Sequence, residues 1–522
     1  MFNEGVELSN TELLAGLLTL YKFYNEAEIP GVMRPCKGDI VDNTRPLEIP
    51  GRYARFALAS YGWRGLYFFN RGITLMDGAK VDSDVTSVLQ YLGITQEDLL
   101  GYEFRSSQLF CPSYFVAYDR QHDAVVLVVR GTMSAEDTVV DLSCEYSKWN
   151  GGLVHSGMKA SAHWLFLEVM PQIFAYASSQ RTKSICIVGH SLGASTAAIL
   201  TIMLHEYRSH LSNLGIDMAK FDIRGYCYGP APCISDDIAD RYRDIIQTYV
   251  NRDDLVPRLC YGSVSDFRRM SISAADEADN LAQRLYAPFE SSAQQQQRWN
   301  EKFARLMDIR KDILATQENL HLALPGTIYH IVSYRGVSSN TSAPRNISLE
   351  VAIARRQLFG VTNSIPEKGT ENVAESGDEP PVLPPPPPPT PKTIVQQDSV
   401  SSEDLADAIN TPLREGFEAS RSYTLATSGK DTETEKRSKT FKSVDSDSGT
   451  RKNSAVSAAG AGGSDTFVPV WVQQVPNNAF REIILRPTIV TDHMPSAYEM
   501  AFAHAIETQI YERQLRERRS KK

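Results

Sequence analysis

The sequence is missing several features that would place the chain in a familiar class of protein. No apolar run approaches the ~20 residues of a membrane-spanning helix, and the first residues include acidic ones where a secretory signal would be basic. The formal net charge of −9 leaves no general surplus of cations for binding phosphate. We therefore expect a cytoplasmic protein, free or peripherally attached to a membrane, that does not bind nucleic acid.

Cysteine is scarce and irregularly spaced. The seven cysteines include no Cys-x-x-Cys pair, and an odd number cannot all pair within one chain. This pattern favours reduced thiols over a disulfide framework, and it does not match the ligand spacing of a zinc site. We accordingly predict no bound metal.

Low-complexity sequence divides the chain into parts. The run "PPVLPPPPPPTPK" can only be extended polyproline, and a stretch rich in serine, threonine, lysine and glutamate follows it. We predict an N-terminal accessory helical segment (1–52), a folded core (53–345), a disordered insertion (346–466) and the C-terminal part of the core with a basic tail (467–522). The insertion holds serines that a kinase could modify, in "EKRSKT" and "RKNSAV", and prolines that could bind a proline-recognising partner. A tolerated surface insertion is the alternative.

Strand-like and helix-like segments alternate through the core. The segment "SYFVAYDRQHDAVVLVVRG" predicts a hairpin, and "SICIVG", "DIRGYCYG" and "IIQTYVN" predict strands separated by helices. This alternation predicts an α/β fold with a central, mostly parallel sheet. Residues 274–320 contain no glycine and predict a helical insertion. We expect a lid either in this insertion, for which a fixed cap is the alternative, or in residues 133–149. We also predict a helix capped by Thr11, a helix over 53–63 and a strand in "EIILRPTIV".

The pentapeptide Gly189-His190-Ser191-Leu192-Gly193 joins a predicted strand to an alanine-rich predicted helix. Glycines at its two ends remove side chains that would clash, so Ser191 can stand exposed on a sharp turn above the sheet. An ordinary turn is the alternative, but the flanking strand and helix are those that a nucleophilic serine requires. Ser191 is our candidate nucleophile.

A serine nucleophile needs a histidine to accept its proton and an acid to orient that histidine. In this fold the acid and then the histidine follow the serine along the chain. Asp253 and Asp254 come directly after the predicted strand "IIQTYVN", and the position alone leaves both open.

Several histidines compete for the role of base. His190 adjoins the nucleophile but is expected to point elsewhere on the turn, and three others precede the acid in the chain: His155, His163 and His205. His321 and His330 follow the acid, and His330 lies inside the predicted strand "TIYHIVSY", where a packed side chain is the usual outcome. His493 lies in the loop "TDHMPSAY" and is favoured, with His330 as the alternative.

The remaining need is an oxyanion hole, which requires at least two donors aimed at the developing negative charge. Leu192 would supply its backbone N–H from the start of the helix. Thr132 would supply a second donor from the end of the strand "VVLVVRG".

Six segments in order resemble the class 3 lipases, and within that family the sn-1-specific diacylglycerol lipases. They are "VVLVVRGTMSAEDTVVDL", "IVGHSLGAST", "YCYGPAPC", "YVNRDDLVPRL", "LPGTIYHIV" and "AFREIILRPTIVTDHMP". The resemblance implies an α/β-hydrolase fold. It also implies that Asp254, directly before Val-Pro, is the acid, that His493 is the base and that His330 is structural.

These inferences predict a serine hydrolase that cleaves an ester bond of a membrane-derived acylglycerol, with diacylglycerol favoured. The triad chemistry needs no cofactor. Phospholipase A1 or broad esterase activity is the alternative with the same residues, and a catalytically inactive lipase-like scaffold is the alternative from another class.

Overall fold

The computed structural model describes the chain in segments. They are residues 9–27, 29, 47–78, 82–106, 110–132, 145–214, 216–217, 219–278, 291–333 and 469–520. These residues belong to one compact unit. The predicted insertion at 346–466 lies outside the described residues, so its predicted character stays a prediction.

Ten strands and thirteen α-helices are described. The strands are β1 (Leu99–Glu103), β2 (Tyr114–Asp119), β3 (Ala124–Val129), β4 (Tyr146–Trp149), β5 (Gly152–His155), β6 (Ser184–His190), β7 (Asp222–Tyr228), β8 (Ile246–Asn251), β9 (Thr327–Ser333) and β10 (Val470–Val475). The helices are α1 (Asn10–Glu26), α2 (Glu48–Ala59), α3 (Gly62–Phe68), α4 (Leu75–Gly78), α5 (Ser83–Leu92), α6 (Ser156–Glu168), α7 (Met170–Gln180), α8 (Leu192–Glu206), α9 (Arg208–Leu211), α10 (Asp236–Arg241), α11 (Tyr261–Asp276), α12 (Ser292–Thr316) and α13 (Pro495–Ser520).

Eight strands form the central sheet in the order β1-β2-β3-β6-β7-β8-β9-β10. The five strands from β3 to β9 in this order run parallel, and the antiparallel pairs are β1 with β2, β2 with β3, and β9 with β10. All residues of β3 are buried, as a parallel strand covered on both faces requires. The predicted mostly parallel α/β sheet and the predicted hairpin at β2 and β3 are therefore confirmed.

Helices cover both faces of the sheet. Tyr226 and Tyr228 of β7 pack into one apolar cluster with α2 and α13. Cys227 lies between them in sequence and donates to the carbonyl of Ala194 in α8. Because successive strand side chains point to opposite faces, α8 lies across the sheet from α2 and α13.

The predicted starts of two N-terminal helices are wrong by a few residues. Ser9, not Thr11, caps α1, because its hydroxyl accepts from the N–H of Glu12 while the Glu12 carboxylate accepts from Ser9. The helix predicted over 53–63 begins earlier, at Glu48, and ends at Ala59. Ser60 and Tyr61 separate it from α3, which begins at Gly62 with a φ of 64°.

The strand predicted in "EIILRPTIV" is also wrong. Residues 476–494 form turns and irregular backbone, because the open edge beside β9 is already taken by β10. Pro487 also lacks the N–H that a ladder needs. His493 therefore follows a series of turns rather than a strand.

The predicted helical insertion includes the end of α11 and the whole of α12. Residues 279–290, between these two helices, lie outside the described residues. Helix α12 ends at Thr316, so the last residues of the predicted 274–320 insertion are not helical. Phe303 and Leu306 of α12 pack with Phe23 of α1 and Met270 of α11 in a second apolar core. These contacts pack α12 against the rest of the fold, and the lid and the fixed cap both stay predictions.

Candidate active site

Ser191 lies on a strained turn between β6 and α8. Its φ of 59° and ψ of −133° are unusual for a residue with a side chain, and such a conformation costs about 1–3 kcal/mol. A Cβ on Gly189 would lie 2.3 Å from the carbonyl oxygen of Gly193, and one on Gly193 would lie 2.4 Å from the carbonyl oxygen of Val129. The two glycines of the pentapeptide are therefore required by close backbone contacts, and they allow the turn to present Ser191.

The three side chains predicted as a triad lie in one hydrogen-bonded chain. His493 Nε2 lies 2.9 Å from Ser191 Oγ, and His493 Nδ1 lies 2.9 and 3.0 Å from the two carboxylate oxygens of Asp254. Asp254 is fully buried, whereas the His493 side chain is 18% exposed. This order places an imidazole between the serine hydroxyl and an acid, as proton transfer from serine requires.

Two further donors hold the Asp254 carboxylate in place. The N–H of Val256 donates to one oxygen at 2.9 Å, and the Tyr498 hydroxyl donates to the other at 2.6 Å. Burial, followed by the charge of Asp254, raises the pKa of Tyr498 well above its usual value, so the hydroxyl keeps its proton. Asp254 thus accepts three hydrogen bonds, and its oxygens point at His493.

Gly229, directly after β7, leaves the space that this arrangement occupies. Its φ is 56°, and a Cβ there would lie 2.7 Å from Asp254 Oδ2 and 3.2 Å from His493 Nδ1. Any side chain at this position would displace the acid or the imidazole.

The main chain before His493 is fixed to the end of β8. The Asn251 amide donates to the carbonyl of Asp492 at 2.9 Å, and the N–H of Asp253 donates to the Asp492 carboxylate at 3.3 Å. Burial raises the pKa of Asp492. Asp253 therefore contacts the loop of the base through its backbone, while its neighbour Asp254 contacts the imidazole.

The predicted oxyanion donors belong to two backbone segments close to Ser191. Leu192 is the first residue of α8, and the N–H groups of a first helical turn have no partner within the helix. Thr132 follows Gly131, where a Cβ would lie 2.9 Å from Ser191 Cβ. The end of β3 thus approaches the nucleophile closely, and the donor roles of Leu192 and Thr132 remain predictions.

His330, the alternative base, lies within β9 and is 3% exposed. Its Nε2 donates to the carbonyl of Arg252 at 2.7 Å, and its ring meets the Phe480 ring edge-on. Burial lowers the pKa of His330 to about 4. Its contacts are those of a packed structural residue. His321, another candidate, pairs with Asp266 at 3.0 Å.

Sequence reasoning missed three residues at this site: Tyr61, Gly229 and Tyr498. Their partners are far away in the chain, as with Tyr61 and His190, which are 129 positions apart. A glycine as the last residue of the predicted strand "DIRGYCYG" is the one available signal, and it points to Gly229.

The chain has the α/β-hydrolase fold, and a serine, a histidine and an aspartate lie hydrogen-bonded at the end of its central sheet. Residues 126–263 match the family model described as lipase (class 3). This part of the chain is similar to the class 3 lipases, and the resemblance found in the sequence is confirmed. The match includes Ser191 and Asp254 and ends before His493.

Parts of the chain are also similar to two curated proteins and to one solved structure. Mouse diacylglycerol lipase-beta is 24% identical over 299 residues, 50% of this chain and 42% of that protein. Human diacylglycerol lipase-alpha is 24% identical over 278 residues, 45% of this chain and 25% of that protein. The chain thus matches less than half of the length of either relative. A lipase from Rhizopus microsporus var. chinensis is 18% identical, with 44% of this chain and 75% of that chain covered and a TM-score of 0.34.

Proposed function

We propose that this protein is a lipase that hydrolyses an ester bond of a membrane-derived acylglycerol, with diacylglycerol as the favoured substrate. The observation that carries the proposal is the hydrogen-bonded chain from Asp254 through His493 to Ser191 on its strained turn. The names of the two curated relatives support diacylglycerol as the substrate.

In the proposed first step, Ser191 Oγ attacks the ester carbonyl while His493 Nε2 takes the hydroxyl proton. Asp254 holds the Nδ1–H of His493, so Nε2 is left free to accept, and it stabilises the imidazolium that forms. The N–H of Leu192 and donors of Thr132 bind the oxyanion. His493 then returns the proton to the leaving alcohol, and the acyl group remains on Ser191.

In the second step, water attacks the acyl-enzyme and gives a proton to His493. The tetrahedral intermediate collapses, the Ser191 oxygen regains its proton from His493, and the fatty acid leaves. Because the attacking and leaving oxygens exchange roles, the same residues serve both steps.

The substrate class implies that the protein works at a membrane surface. We propose peripheral attachment, with residues 133–149 as the segment that covers the apolar cleft in water, since α12 packs against α1 and α11. The first twelve residues of this segment lie outside the described residues. The insertion at 346–466 is proposed as a target for a kinase and a proline-recognising partner.

A fluorophosphonate probe and a substrate panel test the proposal. The purified protein should react with the probe and should release fatty acid from diacylglycerol faster than from triacylglycerol or phosphatidylcholine. Preference for phosphatidylcholine would indicate the phospholipase A1 alternative. A folded protein that neither reacts with the probe nor hydrolyses any of the three would be an inactive scaffold.

Substitutions test the triad itself. Ser191→Ala, Asp254→Asn and His493→Ala should each lower kcat by roughly ten-thousand-fold or more, because triad members act as a unit. Asp253→Asn is the matched control and should keep most of the activity, since Asp253 contacts the loop of the base through its backbone N–H. Loss of activity in Asp253→Asn with retention in Asp254→Asn would reverse the assignment of the acid.

A further inference from the structure

His190 is expected from its place in the pentapeptide to point away from the chemistry, yet its ring contacts the loop of the base. It is the last residue of β6 and 2% exposed. Its Nε2 lies 2.8 Å from the carbonyl oxygen of His493, and its Nδ1 lies 2.8 Å from the Tyr61 hydroxyl. The two imidazole rings are 4.7 Å apart and tilted by 34°.

The partners of His190 determine which nitrogen carries its proton. The carbonyl of His493 can only accept, so Nε2 must donate. Burial, followed by the nearby His493, lowers the pKa of His190 well below its usual value, so the ring is neutral and Nδ1 accepts. Burial also raises the pKa of Tyr61, so its hydroxyl keeps the proton that it donates to Nδ1. Two hydrogen bonds therefore connect the Tyr61 hydroxyl through the His190 ring to the carbonyl of His493.

His493 needs such an anchor because no strand holds it. The backbone from 476 to 494 forms turns, and the bond from the N–H of His493 to the carbonyl of Val490, at 3.2 Å, is local. Asn251 fixes the preceding carbonyl, that of Asp492. His190 fixes the carbonyl of His493 itself, and this bond ties the loop of the base to the residue next to the nucleophile.

Tyr61 extends the same connection to the loop predicted to carry an oxyanion donor. A Cβ on Gly131, the residue before Thr132, would lie 2.8 Å from the Tyr61 hydroxyl oxygen, so Tyr61 packs against this loop. One tyrosine and one histidine thus join the three backbone segments that hold Thr132, Ser191 and His493. A neutral ring in this position also avoids placing a second cation beside the imidazolium that forms at His493 during catalysis.

We propose that His190 is a positioning residue for the reaction, which together with Tyr61 holds the main-chain carbonyl of His493 and keeps Nε2 of the base aimed at Ser191. The inference rests on the proposed function, since it concerns the base of that site. Misplacing a catalytic group by about 1 Å costs roughly a hundredfold in rate. Removal of the anchor should therefore lower kcat and leave KM nearly unchanged.

Two substitutions at His190 separate positioning from packing. His190→Leu fills the space without a donor, and with the soluble ester p-nitrophenyl butyrate its kcat should fall roughly 10- to 100-fold, with KM within about twofold. The amide of His190→Gln can reach the position of Nε2 and donate to His493, so this variant should recover most of the loss. A folded His190→Leu protein with the kcat of the wild type, or a His190→Gln protein no better than His190→Leu, would overturn the proposal.

Tyr61→Phe tests the hydrogen bond from Tyr61 to His190. This variant decides whether the proposal holds if His190→Leu does not fold. Its kcat should fall roughly 3- to 10-fold, because one neutral hydrogen bond is lost. Tyr67→Phe is the matched control, because Tyr67 is 46% exposed on α3, and its kcat should not change. Wild-type kcat in folded Tyr61→Phe would contradict the role of Tyr61 and with it the proposed chain.

The tautomer of His190 is a readout that does not depend on activity. In protein labelled with ¹⁵N-histidine, the signal of His190 is the one that is absent from His190→Gln. At pH 7 this signal should report a neutral ring with the proton on Nε2, and its Nδ1 shift should change in Tyr61→Phe. A charged ring or the other tautomer would overturn the inference while leaving the triad untouched. If the protein hydrolyses p-nitrophenyl butyrate but no acylglycerol, only the proposed substrate is overturned, and the inference about His190 stands.

Discussion

Three buried or half-buried histidines near the end of the sheet have different environments and therefore different roles. His493 is 18% exposed in its side chain and contacts Ser191 and Asp254. His190 is enclosed between Tyr61 and the backbone of His493. His330 is enclosed in β9, where its Nδ1 makes no hydrogen bond to the described residues. A catalytic base must exchange protons with its surroundings, and of the three only His493 has the exposure and the partners for this.

The depressed pKa of His330 predicts a specific loss of stability in acid. Its pKa is about 4 in the folded protein against 6.5 for the ordinary group. Between these values the unfolded chain binds a proton that the folded chain does not, so the free energy of unfolding falls as pH drops from 6.5 to 4. His330 accounts for about 3 kcal/mol of this fall. Well above pH 6.5 the ring is neutral in both states, so His330 causes no fall in the free energy of unfolding there.

Urea unfolding of the wild type and of His330→Leu from pH 7 to pH 4 measures this contribution. The variant should show a shallower decline, because it has no imidazole to protonate, and its kcat at pH 7 should stay close to that of the wild type. Parallel stability curves for the two proteins would contradict the prediction. A dead, folded His330→Leu protein would instead make His330 the base.

At the scale of single residues, the sequence predicts those site residues whose role depends on their neighbours in the chain. Ser191 could be predicted because its glycines and its flanking strand and helix are adjacent in the chain. Asp253 and Asp254 could not be separated by position, since what distinguishes them is which side chain meets His493, 239 residues away. The contact between His190 and His493 spans 303 residues and has no local signature.

At the scale of elements, continuous apolar runs such as β3 and β6 were predictable because burial on both faces leaves a strong signal. The strand predicted in "EIILRPTIV" had a similar composition and is wrong. Its apolar residues pack elsewhere: Ile484 contributes to the core formed by α1, α11 and α12. Apolar composition predicted burial correctly at this position, but the edge of the sheet was already occupied by β10.

One ion pair fixes helix α12 to the turns that precede His493. Arg310 contacts both carboxylate oxygens of Glu482 at 2.8 and 2.7 Å, and Tyr24 donates to the same carboxylate at 2.8 Å. The side chains of Arg310 and Glu482 are only 10% and 20% exposed. Removing the arginine would leave a poorly solvated carboxylate without its cation.

We expect Arg310→Ala to lower the free energy of unfolding by about 2 kcal/mol, measured by urea denaturation. Arg305→Ala is the matched control on the same helix. Arg305 makes the same bidentate contact with Glu277 but is 53% exposed, so its loss should cost below ~1 kcal/mol. Adding Glu482→Gln to Arg310→Ala should recover part of the loss, because the unpaired charge is gone. Equal costs for the two arginines would show that burial of the pair is irrelevant.

At the scale of the whole molecule, the proposed action on a lipid requires this acidic protein to have a local means of attachment. The net charge is −9, and among the described residues no helix combines the length and apolar character that a bilayer crossing requires. The end of the chain has the opposite charge. Residues 512–522 contain six cations, Arg513, Arg516, Arg518, Arg519, Lys521 and Lys522, against two carboxylates, a net excess of four.

Helix α13 extends to Ser520 and presents Arg513, Arg516 and Arg518 to solvent. The same helix begins two residues after His493. Attachment of its C-terminal end to a membrane would therefore involve the helix that directly follows His493. Cations at a helix C-terminus also interact favourably with the helix dipole, which is the purely structural explanation of this sequence. The two explanations differ in their dependence on the lipid, because a dipole interaction needs no membrane.

We expect the basic end to bind anionic membranes in a salt-sensitive way. Each basic residue near an anionic leaflet contributes ~1 kcal/mol, so deletion of residues 512–522 should weaken co-sedimentation with phosphatidylserine-containing vesicles at least roughly tenfold at low salt. Changing Arg513, Arg516 and Arg518 to lysine should preserve binding, and changing them to glutamine should reduce it, because charge rather than arginine geometry carries the attachment. Vesicles of phosphatidylcholine alone should bind all variants equally weakly. Unchanged binding after the deletion would leave only the structural explanation, and attachment would then require an apolar surface.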